Sequence, residues 1–169
     1  MSTHLPAALI ALTLASSAFA ASFNLPADKP TCSITFPDDW HPGAYQTPVD
    51  GVSGQTADAR VFMCAECVDS KNIGSVMDQG MKWFKRNGVT VDLSTLKTDD
   101  KFIVNGIDGA LFTWTGEDRA GPCIIQIAAM STQADKGILV EYWASPSAEK
   151  QYAPAVTQII QSLKPVPTP

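Results

Sequence analysis

The period of apolar positions changes several times along the chain, and each change predicts an element. Cys32, Ile34 and Phe36 alternate with Thr31, Ser33 and Thr35, the period of two that marks a strand with one dry face. The run Phe36-Pro37-Asp38-Asp39-Trp40-His41-Pro42-Gly43 then breaks the ladder, because two prolines and a glycine cannot continue it. Residues 45–52 and 58–67 read as two further strands, with turn chemistry at Asp50-Gly51 and Ser53-Gly54. From Asn72 the steps become three and four: Ile73, Val76, Met77, Gly80, Met81 and Phe84 form the stripe of an amphipathic helix that stops at Asn87-Gly88. A polar stretch follows, and then strands are predicted over 102–104, 110–114, 123–130 and 138–143. Short glycine-containing turns join them, which implies antiparallel neighbours. A second helix opens at Ser145-Pro146, and Tyr152, Val156, Ile159, Ile160 and Leu163 make its buried stripe. Pro154 predicts a kink or restart within it.

Face by face, Phe112 and Trp114, then Cys123, Ile125, Ile127 and Ala129, then Ile138, Val140 and Tyr142 fall together. The opposite set holds Leu111, Ile124, Ala128, Leu139 and Trp143, interrupted by Thr113, Gln126 and Glu141. A sheet apolar on both sides needs cover on both, and two amphipathic helices are at hand. The expected fold is therefore α+β, an antiparallel sheet with helices on both faces as an α/β/α sandwich. One domain over 31–163 is expected, preceded by a lead-in over 21–30 and followed by a proline-rich tail over 164–169 that stays outside the core.

The first residues change the setting. Residues 5–15 are apolar and Ala18-Phe19-Ala20 has the small-x-small form of an export cleavage site, so cleavage after Ala20 is expected. The run is shorter than the roughly 20 apolar residues that span a bilayer. A soluble periplasmic or secreted domain follows from this. With 12 Lys and Arg against 17 Asp and Glu, the net charge of −5 argues against a nucleic-acid groove or a polybasic membrane patch.

In an oxidising compartment, the even set Cys32, Cys64, Cys67 and Cys123 reads as two structural disulfides, with three pairings open. If residues 61–67 run as a strand, Cys64 and Cys67 point opposite ways and each reaches a distant partner. Cys64-Ala65-Glu66-Cys67 also has the spacing of a thiol-disulfide oxidoreductase. Against that, residues 68–71 separate the pair from the helix, and Glu66 opposes thiolate formation. A zinc site would want two paired motifs, whereas Cys32 and Cys123 stand alone.

Other chemistry is sparse. After cleavage the one histidine left is His41, which with Asp38 and Asp39 clusters in a loop able to offer ligands to a divalent cation. A solvated turn explains the same residues. Asp99, Asp100, Glu117, Asp118 and Glu141 include the acids from which an acid–base pair could be drawn, and Glu141 stands out by its place between Val140 and Tyr142 in a strand. Such acids are usually at the rim. There is no phosphate-cradling glycine loop, dinucleotide fingerprint or nucleophile elbow. Trp40, beside His41, is a candidate partner-binding aromatic, with a core plug as its alternative.

The order of these elements resembles the PsbP-like fold family. The resemblance rests on Phe36-Pro37-x-x-Trp40 closing the first strand, the mid-chain helix, Asn105-Gly106-Ile107 before a meander, and a last helix ending Ile159-Ile160-Gln161-Ser162-Leu163. That family includes the extrinsic photosystem proteins and exported bacterial domains such as the DcrB-like proteins. What the resemblance implies is an antiparallel sheet between helices and an accessory or binding role without catalysis; it brings no catalytic residues. The expectation is thus an exported, disulfide-stabilised, non-enzymatic monomer that recognises another envelope or secreted protein, with no cofactor and no metal, and Trp40, His41, Asp38 and Asp39 as its binding loop. An immunity protein against an exported toxin belongs to the same physical class.

Overall fold

The computed structural model describes residues 20–46, 50–133 and 135–166. Among these residues ten strands and two α-helices run in the order β1 (Ala20–Leu25), β2 (Cys32–Pro37), β3 (Gly43–Gln46), β4 (Asp50–Gln55), β5 (Val61–Asp69), α1 (Ile73–Arg86), β6 (Thr90–Val104), β7 (Ile107–Asp118), β8 (Gly121–Gln133), β9 (Lys136–Ala144), α2 (Pro146–Gln161) and β10 (Lys164–Pro165). Seven strands form one antiparallel sheet in the order β3-β4-β5-β9-β8-β7-β6. The other three form a small sheet, β1-β2-β10.

Side chains of β5 alternate between two cores, as the strand period requires. Val61, Met63, Ala65 and Cys67 join Ile138, Val140 and Tyr142 in a core closed by Ala148, Val156 and Ile159 of α2 and by Ile34 and Phe36 of β2. On the other side, Val68, Ile125, Ile127 and Leu139 pack with Phe84, Met77 and Met81 of α1. The expected α/β/α sandwich gives way to a more sheet-rich arrangement, because β1-β2-β10 shares one side of the large sheet with α2.

Both helices begin and end where the sequence punctuates them. α2 is capped by Ser145, whose side chain accepts from the Ala148 amide, and it continues across Pro154 without a restart. α1 stops at Asn87, followed by Gly88 at φ 80°.

Three expectations about organisation change. The stretch expected as a lead-in supplies β1, paired with β2 from Ala20↔Pro37 to Leu25↔Cys32. The expected outlying tail begins as β10, which pairs with β2, and the Val166 amide donates to the Thr31 carbonyl. The polar stretch after α1 is most of β6, an edge strand held by β7. Of the expected export segment only Ala20 lies among the described residues; residues 47–49 and 167–169 and the Val76 side chain lie outside them.

Candidate functional site

Two places stand out, one inside the molecule and one at its edge. The first comes from register. Cys64 pairs with Glu141 across β5 and β9, and Glu141 pairs with Ile127 across β9 and β8, so all three side chains share the face under α1. Two places along β5, Glu66 lies on that same face. The sequence pattern had set Ile138, Val140 and Tyr142 beside Ile125 and Ile127; the observed pairing instead sets Leu139, Glu141 and Trp143 there. One residue of register inverts a whole strand.

Glu141 is thereby 1% exposed, not at the rim, and Glu66 and Cys64 are buried with it. The Cys64 thiol donates to Glu141 Oε2 at 2.9 Å, while Glu141 Oε1 has no hydrogen-bond partner. One ligand atom from each of Cys64, Glu66 and Glu141 lies within 4.8 Å of the others. Burial pushes the Glu141 carboxyl above its ordinary range, countered by the Cys64 hydrogen bond. Burial and then the neighbouring Glu141 push the Cys64 thiol well above its ordinary value.

α1 makes room for this group at Gly80, where a Cβ would overlap Glu141 Oε1. Beside the acids stands an aromatic cluster: Phe62 lies 4.7 Å from Trp83 and 4.6 Å from Trp143, centroid to centroid, and Phe84 meets Trp143 edge-on at 5.8 Å.

The second place is β6. Between the pairs Asp92↔Thr115 and Lys97↔Thr113, four residues of β6 stand against one of β7, so the strand bulges. The bulge is held by its own polar groups. Asp92 accepts from the Ser94 amide at 3.0 Å and the Ser94 hydroxyl at 2.6 Å, and the Thr115 amide donates to the Thr95 hydroxyl at 2.9 Å. This network turns Leu93 and Leu96 outward, at 68% and 48% exposure, and further along the same strand Ile103 is 61% exposed. β7 is the neighbour of β6 in the sheet order, and its other edge is unpaired among the described residues.

The residues expected to bind fare differently. Trp40 is 2% exposed and meets Tyr152 edge-on at 6.2 Å, so it is a plug in the α2-side core and not a binding aromatic. Asp38, Asp39 and His41 are exposed in a short turn where the His41 amide donates to the Asp38 carbonyl, and they do not form a ligand cluster.

The two expected disulfides are not present; the four cysteines are buried and unbonded. β5 puts Cys64 and Cys67 on opposite faces of the sheet. Cys123 shares the Cys64 face but sits four residues beyond the Ile127 position and two strands away, roughly 13 Å along and 10 Å across. A bridge needs Cα atoms within about 7 Å. Cys32 and Cys67 do share the α2-side core, where the Thr31 hydroxyl lies 3.6 Å from Cys67 Sγ. Thiol exchange finds no support in this geometry. Burial, and then the neighbouring Glu141, push the Cys64 thiol of that motif well above its ordinary value, and a nucleophilic thiolate needs the reverse.

No family model and no curated protein matches the chain. Among solved structures, the cyanobacterial PsbP (CyanoP) of Synechocystis covers 94% of this chain and 99% of its own, with a TM-score of 0.59 at 8% identity. The fold is PsbP-like. A PsbP-like likeness also extends to LpqN of Mycobacterium tuberculosis, described as involved in cell envelope biogenesis, over 88% of this chain and 92% of that one (TM-score 0.51, 12% identity). A Bacteroides thetaiotaomicron protein matches 86% of the chain with 48% of its own length (TM-score 0.53, 9% identity). At such identities the PsbP-like relation is one of fold. Among the described residues no helix is long and apolar enough to cross a membrane.

Proposed function

We propose that this chain is an exported envelope accessory protein that binds an apolar segment of another exported protein along the outer edge of β6. The observation that carries the reading is the bulge at residues 93–96, where a polar network spends its hydrogen bonds on holding two leucines in water. Scattered exposed apolar side chains are ordinary, but large ones fixed on a strand whose outer edge is unpaired among the described residues mark an interaction site. Lys97 and Lys101, with the bulge itself, work against indiscriminate strand pairing and so favour a specific partner.

Export is supported by the apolar leader with its small-x-small end and, loosely, by the fold shared with LpqN. A binding role without catalysis is what the PsbP-like resemblance implies.

The test is capture from an envelope extract with the wild-type chain and a Leu93→Ser/Leu96→Ser variant side by side. Proteins retained by the wild type and lost from the variant, with both melting alike, are the expected result. Equal retention by both, or none by either, sinks the reading. Dimerisation of the wild type abolished in the variant would instead assign the edge to self-association.

A further inference from the structure

Two carboxyl groups and a thiol under one helix pose an electrostatic problem that the chain's own hydrogen bonds leave half solved. Glu141 and Glu66 are held away from water on the α1 face, at 1% and 3% exposure, and Cys64, fully buried, stands two residues before Glu66 on β5 and directly opposite Glu141 on β9. Ionised together in such a place, they would lose hydration and repel one another. Protons are one remedy: the Cys64 S–H already bridges to Glu141 Oε2. Yet Glu141 Oε1 is left with no partner, and a proton placed there would find no acceptor either. A buried oxygen in that position keeps its full desolvation cost unless something else satisfies it.

We propose that Cys64 Sγ, Glu66 and Glu141 form a binding site for a single divalent cation of the zinc class. The donor set is one thiolate sulfur and two carboxylates, a borderline-soft mixture that suits zinc better than calcium or magnesium, which prefer six or more oxygens. Scale agrees. Around a tetrahedral zinc with bonds of about 2.0–2.3 Å, ligand atoms lie roughly 3.3–3.8 Å apart, and the three donors already fall within 4.8 Å of one another.

Binding balances simply. The metal takes the place of the Cys64 thiol proton and of any proton on the carboxyls, releases them to solvent, and gives Oε1 or Oε2 of Glu141 a bond to metal in place of the thiol hydrogen bond. Three protein ligands leave one position of a tetrahedron open. Gly80 lets the helix backbone lie directly over the carboxylate, and any side chain at that position would occupy the space of Oε1. Trp83, Trp143 and Met81 belong to the core on this same side of the sheet, and Trp83 and Trp143 meet at 5.1 Å.

The experiment strips the purified full chain with a chelator and titrates it with zinc. One zinc per chain in native mass spectrometry and a rise in melting temperature of about 5 °C or more at saturating metal are expected. Cobalt in place of zinc should show a near-ultraviolet sulfur-to-metal band that survives Cys32→Ser and Cys123→Ser. Glu141→Gln, which keeps the shape of the side chain, should abolish the shift, as should Cys64→Ser. Should Cys64→Ser fail to fold, the cobalt band of the wild type decides whether sulfur is a ligand. The proposal is overturned by a stripped wild type that gains neither metal nor stability, by zinc binding that persists in Glu141→Gln, or by a response to calcium with none to zinc.

Discussion

The two faces of the seven-stranded sheet are built on different terms. On the α2 side every inward residue of β5 is apolar or a thiol, and helix, small sheet and the Trp40 plug close over it. On the α1 side, one residue further along the same strand each time, Cys64 and Glu66 sit against Glu141 beneath Gly80. A side that only holds the fold together has no use for buried acids, since each costs stability unless paired. Carrying them is the mark of a site, and local rules tend to be broken where function is placed.

The contrast can be broken hardest from the scaffold side. Phe36→Ala, which empties a fully buried ring position in the α2-side core, should cost about 3–5 kcal/mol in denaturant unfolding. Gly80→Ala acts on the other side by forcing a methyl into the carboxylate; a loss of about 1–3 kcal/mol is expected, and Gly80→Ala combined with Glu141→Ala should recover part of it, which a double-mutant cycle measures.

Acidity sharpens the comparison further. Because Glu141's folded carboxyl titrates above its unfolded one, the native state holds the extra proton between the two values, and its contribution to stability falls as pH rises through that window from about 4.3 upward. In metal-free protein, Glu141→Gln should therefore match the wild type near pH 4 and surpass it towards neutrality; melting curves across that range that stay parallel would refute the assignment. The smallest effect belongs to the edge: Leu93→Ser should change stability by no more than about 0.5 kcal/mol while weakening partner capture.

Much of this was legible along the chain. The α1 stripe, its stop at Asn87-Gly88, the Ser145 cap and the alternation through Cys32, Ile34 and Phe36 all appear where local chemistry demands them. Most of β6, ahead of the expected strand at 102–104, was not, since an edge strand wet on much of its surface needs no apolar alternation and takes its form from β7. β1 and β10 were missed for a related reason: each is short and becomes a strand by pairing with β2.

The candidate site was hidden more deeply. Glu66 drew notice as a brake on thiolate formation and Glu141 as an acid within an apolar strand, but nothing in either segment says that the two meet.

Period, caps and turn residues act within a few positions of one another, so the order of the two helices and the central strands, the antiparallel habit of the sheet and the identity of most core residues follow from the sequence by itself. Which face a strand turns inward depends on the partner it meets and the register at which it meets it. That long-range pairing set Glu141 against Cys64, parted Cys64 from Cys67, withheld a partner from Cys123 and sent Trp40 into the core. It was decided by the tertiary structure, because a shift of one residue costs nothing locally and everything across the sheet.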